Sequence, residues 1–182
     1  MAIFAFIGYK MRNLKLFFSL FLVLSFFGNA QEKNSSAEVA MYLESNGSLN
    51  QYSFAYDELL KMLEKQYPKS ESTVNGWSYL ETNKEKAIAD IRKELVDIYA
   101  QNFESSEIKR MTDFYLSPTG KQLTSDRSQM TAAQKEELNE FYNSELGKKI
   151  IGKQPVLTQS VSAASESWSR DLYETAVSLL KE

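Results

Sequence analysis

One short motif occurs twice in this chain with the same internal spacing. Residues 113–123 read Asp-Phe-Tyr-Leu-Ser-Pro-Thr-Gly-Lys-Gln-Leu, and 27 positions later residues 140–150 read Glu-Phe-Tyr-Asn-Ser-Glu-Leu-Gly-Lys-Lys-Ile. Ser is a preferred helix N-cap, and Pro is favoured at the first helical position. Each copy therefore predicts a helix, a capped corner and a second helix. The motif residues are Phe114, Tyr115, Ser117, Pro118, Gly120 and Lys121, then Phe141, Tyr142, Ser144, Gly147 and Lys148.

The second copy differs from the first at one important position, because Glu145 replaces the proline. Without proline the chain can bend through the Ser144 cap or continue as one helix. We expect a softer corner there than at Ser117. Gly152 and Pro155 offer an alternative break just beyond, so the last helix is predicted over about residues 155–181.

The rest of the chain also has a helical pattern. Apolar residues recur every three or four positions, and Gly and Pro fall at the ends of these stretches. The expected helices cover residues 36–46, 50–66 and 76–102, with another starting at a Ser cap near Ser105. In the third, Lys84 interrupts the apolar seam and is expected at its exposed end. The pattern predicts an all-α, irregular antiparallel bundle of about six helices, with the 27-residue helix-corner-helix repeat inside it.

The N-terminal region has the three-part layout of a secretory signal peptide. A basic start at residues 11–15 precedes an apolar run and the small residues Gly28-Asn29-Ala30. We expect cleavage after Ala30, translation to start at Met11, and residues 1–10 to lie outside the natural product. Residues 31–35 are then a flexible N-terminus, and residues 36–182 form a single helical domain. The chain is thus expected to be exported to the periplasm or secreted; an uncleaved membrane anchor is the alternative.

Composition restricts the chemistry of the processed chain. Removing the leader takes away three of the 21 Lys and Arg residues, which leaves 18 against 24 acids, a formal net charge of −6. This balance disfavours nucleic-acid and anionic-membrane partners, which require a basic surface. The chain contains no His and no Cys, which excludes Ser-His and Cys-His nucleophile pairs and the usual zinc ligands. We expect no cofactor and no metal.

Two sets of residues could still carry chemistry. Glu136, Glu137 and Glu140 place carboxylates one helical turn apart, and each Ser of the corner motif has a Lys four residues later (Ser117 with Lys121, Ser144 with Lys148). Paired carboxylates serve glycoside hydrolysis or cation binding, and a desolvated Lys can activate a Ser. We interpret the carboxylates as a solvated helix face and the serines as caps. The Tyr and Trp residues could line a ligand groove, but packing in the core is the preferred interpretation.

The first corner also carries a family resemblance. The pattern Phe-Tyr-x-Ser-Pro-x-Gly-Lys, preceded by the acidic stretch from Phe103 to Ile108, resembles the signature of domain of unknown function 2059. This is a family of small, exported, all-helical bacterial proteins. The likeness is strongest over residues 98–123 and continues as helix through residues 98–182. It implies an all-α fold and export, and the family has no assigned activity from which functional residues could be transferred.

These observations lead to one preferred function and two alternatives. The preferred hypothesis is an exported, non-enzymatic helical protein that binds a protein or envelope component in the periplasm. The first alternative is a cell-envelope hydrolase that uses carboxylates or a Ser-Lys pair. The second is a periplasmic holdase-like chaperone, which requires an exposed apolar groove.

Overall fold

The computed structural model describes residues 35–181, which form eight α-helices and no strand. In chain order the helices are α1 (Ser36–Ser45), α2 (Ser48–Gln66), α3 (Val74–Thr82), α4 (Lys84–Ala100), α5 (Ser105–Leu116), α6 (Pro118–Asp126), α7 (Ala132–Asn143) and α8 (Glu145–Leu180). A short 3-10 turn, Arg127–Gln129, follows α6. The predicted all-α class is confirmed.

The expected signal peptide (1–30), the start at Met11 and the expected mobile residues 31–34 all lie outside the described residues. Ser35, which was expected to be mobile with them, is ordered into the cap of α1. Its hydroxyl accepts from the Glu38 N–H, and the Glu38 carboxylate accepts from the Ser35 N–H. Within residues 35–181 no helix is both long and apolar enough to span a membrane.

Two clusters of buried side chains hold the helices together. The larger one joins α1, α4, α5 and α8, with additional residues from α2 and from the α4–α5 connection. The smaller one joins α2, α3 and the C-terminal end of α8 through Leu63, Trp77, Leu80, Ala176 and Leu180. Because α2 and α8 both contribute to both clusters, these two helices connect the two ends of the bundle.

The expected helix over residues 76–102 is wrong, since the chain breaks at Asn83 into α3 and α4. The Asn83 side chain donates to the Tyr79 carbonyl at 2.9 Å, and the Thr82 hydroxyl donates to the Ser78 carbonyl at 2.8 Å. Such side chains compete with the helical backbone for its carbonyls. Lys84 is therefore not the exposed end of a seam: it begins α4 and its Nζ pairs with Asp57 at 2.7 Å.

The start of α5 also differs from the expectation of a Ser cap. Glu104 is the N-cap, and its carboxylate and that of Glu107 form a reciprocal capping box. Ser105 is instead free to donate its hydroxyl hydrogen to Glu38 at 2.8 Å, which ties α5 to the first turn of α1. A carboxylate competes well with a hydroxyl for this position because it also faces the positive end of the helix dipole.

The last helix begins ten residues earlier than expected, at Glu145, and runs for 36 residues without a break at Gly152 or Pro155. Pro155 has no N–H for the Ile151 carbonyl, but Ile151 is 55% exposed, so water can satisfy that carbonyl. Buried residues anchor the helix on both sides, namely Leu146 before and Leu157 after this stretch. The structure has eight α-helices where about six were expected. The two additional helices come from the break at Asn83 and the interruption between α6 and α7.

Candidate functional site

The first corner has the geometry that its sequence predicts. Ser117 lies in extended conformation (φ −66°, ψ 163°) between α5 and α6, and its hydroxyl accepts from the Gly120 N–H at 3.1 Å. Pro118 occupies the first position of α6, where no N–H is needed. The Ser117 carbonyl accepts from the Lys121 N–H at 2.9 Å and begins the new helix. One residue thus ends one helix and caps the next.

The second corner is as sharp as the first, so the expected softer bend is wrong. Ser144 has φ −66° and ψ 164°, and its hydroxyl accepts from the Gly147 N–H at 3.1 Å. It also donates to the Phe141 carbonyl at 2.6 Å. These bonds supply the bend without proline, because the cap requires only a side-chain acceptor and an extended residue.

Each corner also depends on the absence of a side chain three residues after the serine. A Cβ on Gly120 would lie 2.1 Å from the Phe114 carbonyl oxygen, and one on Gly147 would lie 2.3 Å from that of Phe141. The glycines therefore let each new helix start directly against the end of the preceding one. The two corners touch through the rings of Phe114 and Phe141, which stack with centroids 3.9 Å apart.

The Ser-Lys pairs are not arranged for nucleophilic catalysis. Both hydroxyls act as caps, as described above. Lys121 is exposed, and the Lys148 ammonium pairs with Glu145 at 3.0 Å on the surface. A lysine activates a serine when it is desolvated and close to neutral. Both motif lysines are exposed to solvent, so these residues support the fold.

The carboxylates Glu136, Glu137 and Glu140 all lie exposed on α7. Glu137 accepts a hydrogen bond from the hydroxyl of Thr119, which is itself buried at the start of α6. This contact joins α6 to α7 and was not expected from the sequence. Among residues 35–181, no group of three or more acidic side chains is placed to hold a metal ion.

A cluster of tyrosines lies behind the corners. The Tyr42 ring is 5.3 Å from that of Tyr99 and 5.9 Å from that of Tyr115. Burial raises the pKa of Tyr42 well above its usual range, and the neighbouring tyrosines add to this shift. Burial likewise raises the pKa of Tyr115, with Tyr142 as the next contributor. These hydroxyls stay protonated near neutrality, so they pack in the core and do not act as bases.

One recess is a cleft of about 220 Å³ between the α3–α4 segment and α8, here called the aromatic cleft. Three aromatic residues line it: Tyr56 from α2, Tyr79 from α3 and Trp168 from α8. The Tyr56 hydroxyl donates to the Leu80 carbonyl at 2.6 Å, and the Trp168 indole N–H donates to the Ala87 carbonyl at 2.9 Å. Both polar tips are thus used internally, and Tyr79 is 46% exposed at the cleft.

Charged residues complete the lining of the aromatic cleft. Lys86, Asp90 and Glu94 follow one another at four-residue spacing on α4, and Asp171 comes from α8. The Lys86 ammonium bonds Asp90 at 3.1 Å, and this hydrogen bond raises the pKa of Lys86. Asn83, where α3 ends and α4 begins, also lines the cleft. Sequence reasoning missed the site, although a groove lined by Tyr and Trp residues was named as the alternative to core packing.

A second recess lies beside the first corner. It is a wide, shallow groove of about 770 Å³ lined by Tyr115, the turn between α1 and α2, and α6. Phe54 is 66% exposed within it. Most of its other lining groups are hydroxyls and amides. Of the motif residues, the groove includes Tyr115 alone.

Comparison with known proteins gives one match. The model of a family described as an uncharacterized protein conserved in bacteria, domain of unknown function 2059, matches residues 89–136 and again residues 127–174. The two matches overlap and together span both corners and the α8 wall of the aromatic cleft. No curated protein and no solved structure matches the chain.

Proposed function

Residues 89–174 of this chain match the family called domain of unknown function 2059, and from that premise we propose that the protein is an exported, non-enzymatic helical binding protein. The observation that carries the proposal is the aromatic cleft, where Tyr79 and Trp168 meet ionisable residues in an open recess. Concave sites with aromatic walls and a few polar groups are typical of ligand recognition. The corner motif serves this site indirectly, because the second corner sets where α8 starts.

Export is part of the proposal and rests on the N-terminal sequence. A basic start, an apolar run and a small-residue cleavage signal favour secretion with cleavage after Ala30. Expression of the full chain, followed by cell fractionation and mass spectrometry of the product, tests this directly. We expect a periplasmic or secreted product that begins at Gln31. A cytoplasmic product that retains the leader would contradict it.

The hydrolase alternative is not supported by the geometry of the residues on which it rests. Ser117 and Ser144 cap helices, and Glu137 bonds Thr119. The holdase alternative requires a continuous apolar surface. The large exposed apolar residues are instead spread over five helices: Met41, Phe54, Met62, Val74, Tyr79, Leu116, Ile151, Val156 and Tyr173. Titration with a fluorescent dye that binds exposed apolar surface tests the holdase alternative, since a natively folded holdase would bind the dye.

Retention of envelope components on the immobilised protein tests the binding function. We expect a specific component to be retained by the wild type and retained about two- to fivefold less by Tyr79→Ala, which removes an exposed aromatic contact of ~0.5–1 kcal/mol. Phe54→Ala is the matched control, because it removes an exposed aromatic side chain outside the cleft. Equal retention by both variants, or no retained component at all, would contradict binding through the cleft.

A further inference from the structure

The aromatic cleft carries more negative than positive charge. Its lining holds three carboxylates, Asp90, Glu94 and Asp171, against the single ammonium of Lys86. Lys86 is engaged by Asp90, and the guanidinium of Arg170 approaches Asp171 only at 3.7 Å. If Arg170 is counted as well, the cleft has three negative and two positive charges, which is a net charge of −1. A ligand that brings a positive charge is therefore complementary to it.

The aromatic groups favour the same kind of ligand. Tyr56 is buried, and the Trp168 indole N–H is already bonded to the Ala87 carbonyl. The ring surfaces that a ligand can meet are therefore mainly those of half-buried Trp168 and exposed Tyr79. An aromatic ring attracts a cation placed over its face. Residues 35–181 contain two such contacts already, with the Lys69 ammonium 5.6 Å from the Trp77 ring centroid and the Lys149 ammonium 5.7 Å from that of Phe103. The cleft thus combines ring surfaces with unneutralised carboxylates.

Size restricts the ligand further. The cleft holds about 220 Å³, below the ~300–1,000 Å³ of pockets that enclose drug-sized ligands. Leu172, which is half-buried, adds apolar surface to its wall. A short aliphatic chain that ends in an ammonium group suits this combination of volume, apolar surface and charge.

We propose that the aromatic cleft binds an aliphatic ammonium group, carried either by a free diamine or by a lysine side chain of a peptide. The proposal rests on the binding function argued above and names its ligand class. The carboxylates of Glu94 and Asp171 face the ammonium group, and Trp168 and Tyr79 contact the alkyl chain and the charge. Affinity should fall as salt is added, because the charges that attract the ligand are open to solvent.

Two ligands of equal length test the charge requirement. The protein is titrated with 1,5-diaminopentane and, separately, with 1,5-pentanediol, while the indole N–H signals of its two tryptophans are followed by NMR. We expect the diamine to shift the Trp168 signal and leave that of Trp77 unchanged, since Trp77 is buried in the smaller cluster and bonds the Tyr67 carbonyl. The diol should have no effect. Capped peptides that differ only by Lys against norleucine show whether a peptide side chain is accepted as well.

Charge variants locate the site. Asp171→Asn and Glu94→Gln should each weaken diamine binding about fivefold, which is the effect of roughly 1 kcal/mol. Glu136→Gln removes the same charge from α7, outside the cleft, and should leave binding unchanged. Equal binding of diamine and diol, or equal loss in all three variants, would overturn the ammonium assignment.

The result also separates this inference from the proposed function. If an envelope component is retained through Tyr79 but no amine shifts the Trp168 signal, the ammonium assignment is wrong and the binding function stands. If neither an amine nor an envelope component binds, both are wrong.

Discussion

Ser117 and Ser144 show how little a sharp corner between two helices requires. In both, one extended residue accepts the backbone N–H of the third residue of the next helix at 3.1 Å. In both, that third residue is a glycine pressed against the preceding helix. The positions directly beside the serine differ between the copies, with proline against glutamate after it, whereas the Phe-Tyr pair and the Lys are shared. The serine and the glycine are the residues that make the backbone contacts of the corner.

At the residue scale, substitution of Gly by Ala distinguishes the glycines that pack against the preceding helix from one that does not. Gly120→Ala and Gly147→Ala should each lower the free energy of unfolding by about 1–3 kcal/mol, because the new Cβ would overlap backbone atoms of the preceding helix. Gly152→Ala is the control. Gly152 is helical, and a Cβ added there would meet nothing within 4 Å. This variant should therefore raise the free energy of unfolding by about 0.5–1 kcal/mol. Urea denaturation of the three variants measures this. If Gly152→Ala lowers the free energy of unfolding as much as the other two variants do, the proposed packing of Gly120 and Gly147 is wrong.

Glu38 makes stability dependent on pH. Its pKa lies below the ordinary value of 4.5, first because the Ser105 hydroxyl donates to it and next because the Ser35 N–H does. A depressed folded pKa adds stability above the unfolded pKa, and this is lost as pH falls through the folded value. Glu38→Gln should therefore melt below the wild type at pH 7, with the difference shrinking below about pH 4.

The replacement of Glu38 isolates the charge, because Gln can also serve in the capping box. Thermal melts at several pH values give the comparison, with Glu136→Gln as a control on an exposed carboxylate of α7. A difference between Glu38→Gln and wild type that stays constant from pH 7 to pH 3 would show that the carboxylate charge is not involved.

At the scale of the elements, the second corner can accept the proline that it lacks. Glu145 is the first residue of α8, and Ser144 before it has the extended conformation that proline favours in its predecessor. Glu145→Pro should raise the free energy of unfolding by about 0.4–1 kcal/mol, because proline restricts the unfolded chain. The lost Glu145–Lys148 pair is exposed and contributes little.

The reciprocal change Pro118→Glu at the first corner provides the control for Glu145→Pro and should destabilise by a similar amount. Denaturation midpoints of the two single variants and the double variant measure both effects. If Glu145→Pro destabilises by more than 1 kcal/mol, then the backbone at the second corner is not equivalent to that at the first.

Element boundaries show where sequence reasoning succeeds and fails. The first corner was placed at Ser117, and a softer bend was favoured at Ser144 over a continuous helix, because a cap is decided by residues next to one another. The length of α8 was predicted wrongly. Pro155 predicts a break, but the burial of Leu146 before it and Leu157 after it holds the helix together. The break at Asn83 was missed as well, since it depends on side chains of Thr82 and Asn83 that choose backbone carbonyls over solvent.

At the scale of the whole molecule, α8 links the larger cluster to the smaller one. Leu180→Ala removes a buried side chain from the far end and should cost about 2–5 kcal/mol locally. Hydrogen exchange should then accelerate first in α3 and the C-terminal half of α2, with α5 and α6 retaining protection. Leu172→Ala, which is only partly buried on the same helix, is the control. Uniform acceleration throughout the chain would show one indivisible cooperative unit.

The aromatic cleft could not be derived from the sequence, although each of its residues was visible there. Tyr56, Tyr79 and Trp168 come from three helices, and Trp168 lies about ninety positions after Tyr79. Periodicity identifies which residues face inward on one helix but not which inward faces leave a gap between them. The gap here includes the break at Asn83 in its lining, and sequence reasoning had not predicted that break.

The one-residue corner has a use beyond this protein. Designed helical bundles connect their helices through loops, and each added loop residue is another source of conformational freedom in the unfolded chain. A Ser-x-x-Gly elbow joins two helices with a single non-helical residue, and its two occurrences here show that the neighbouring positions tolerate different chemistry. Placed between two helices of a designed protein, it would set a sharp bend without an added loop.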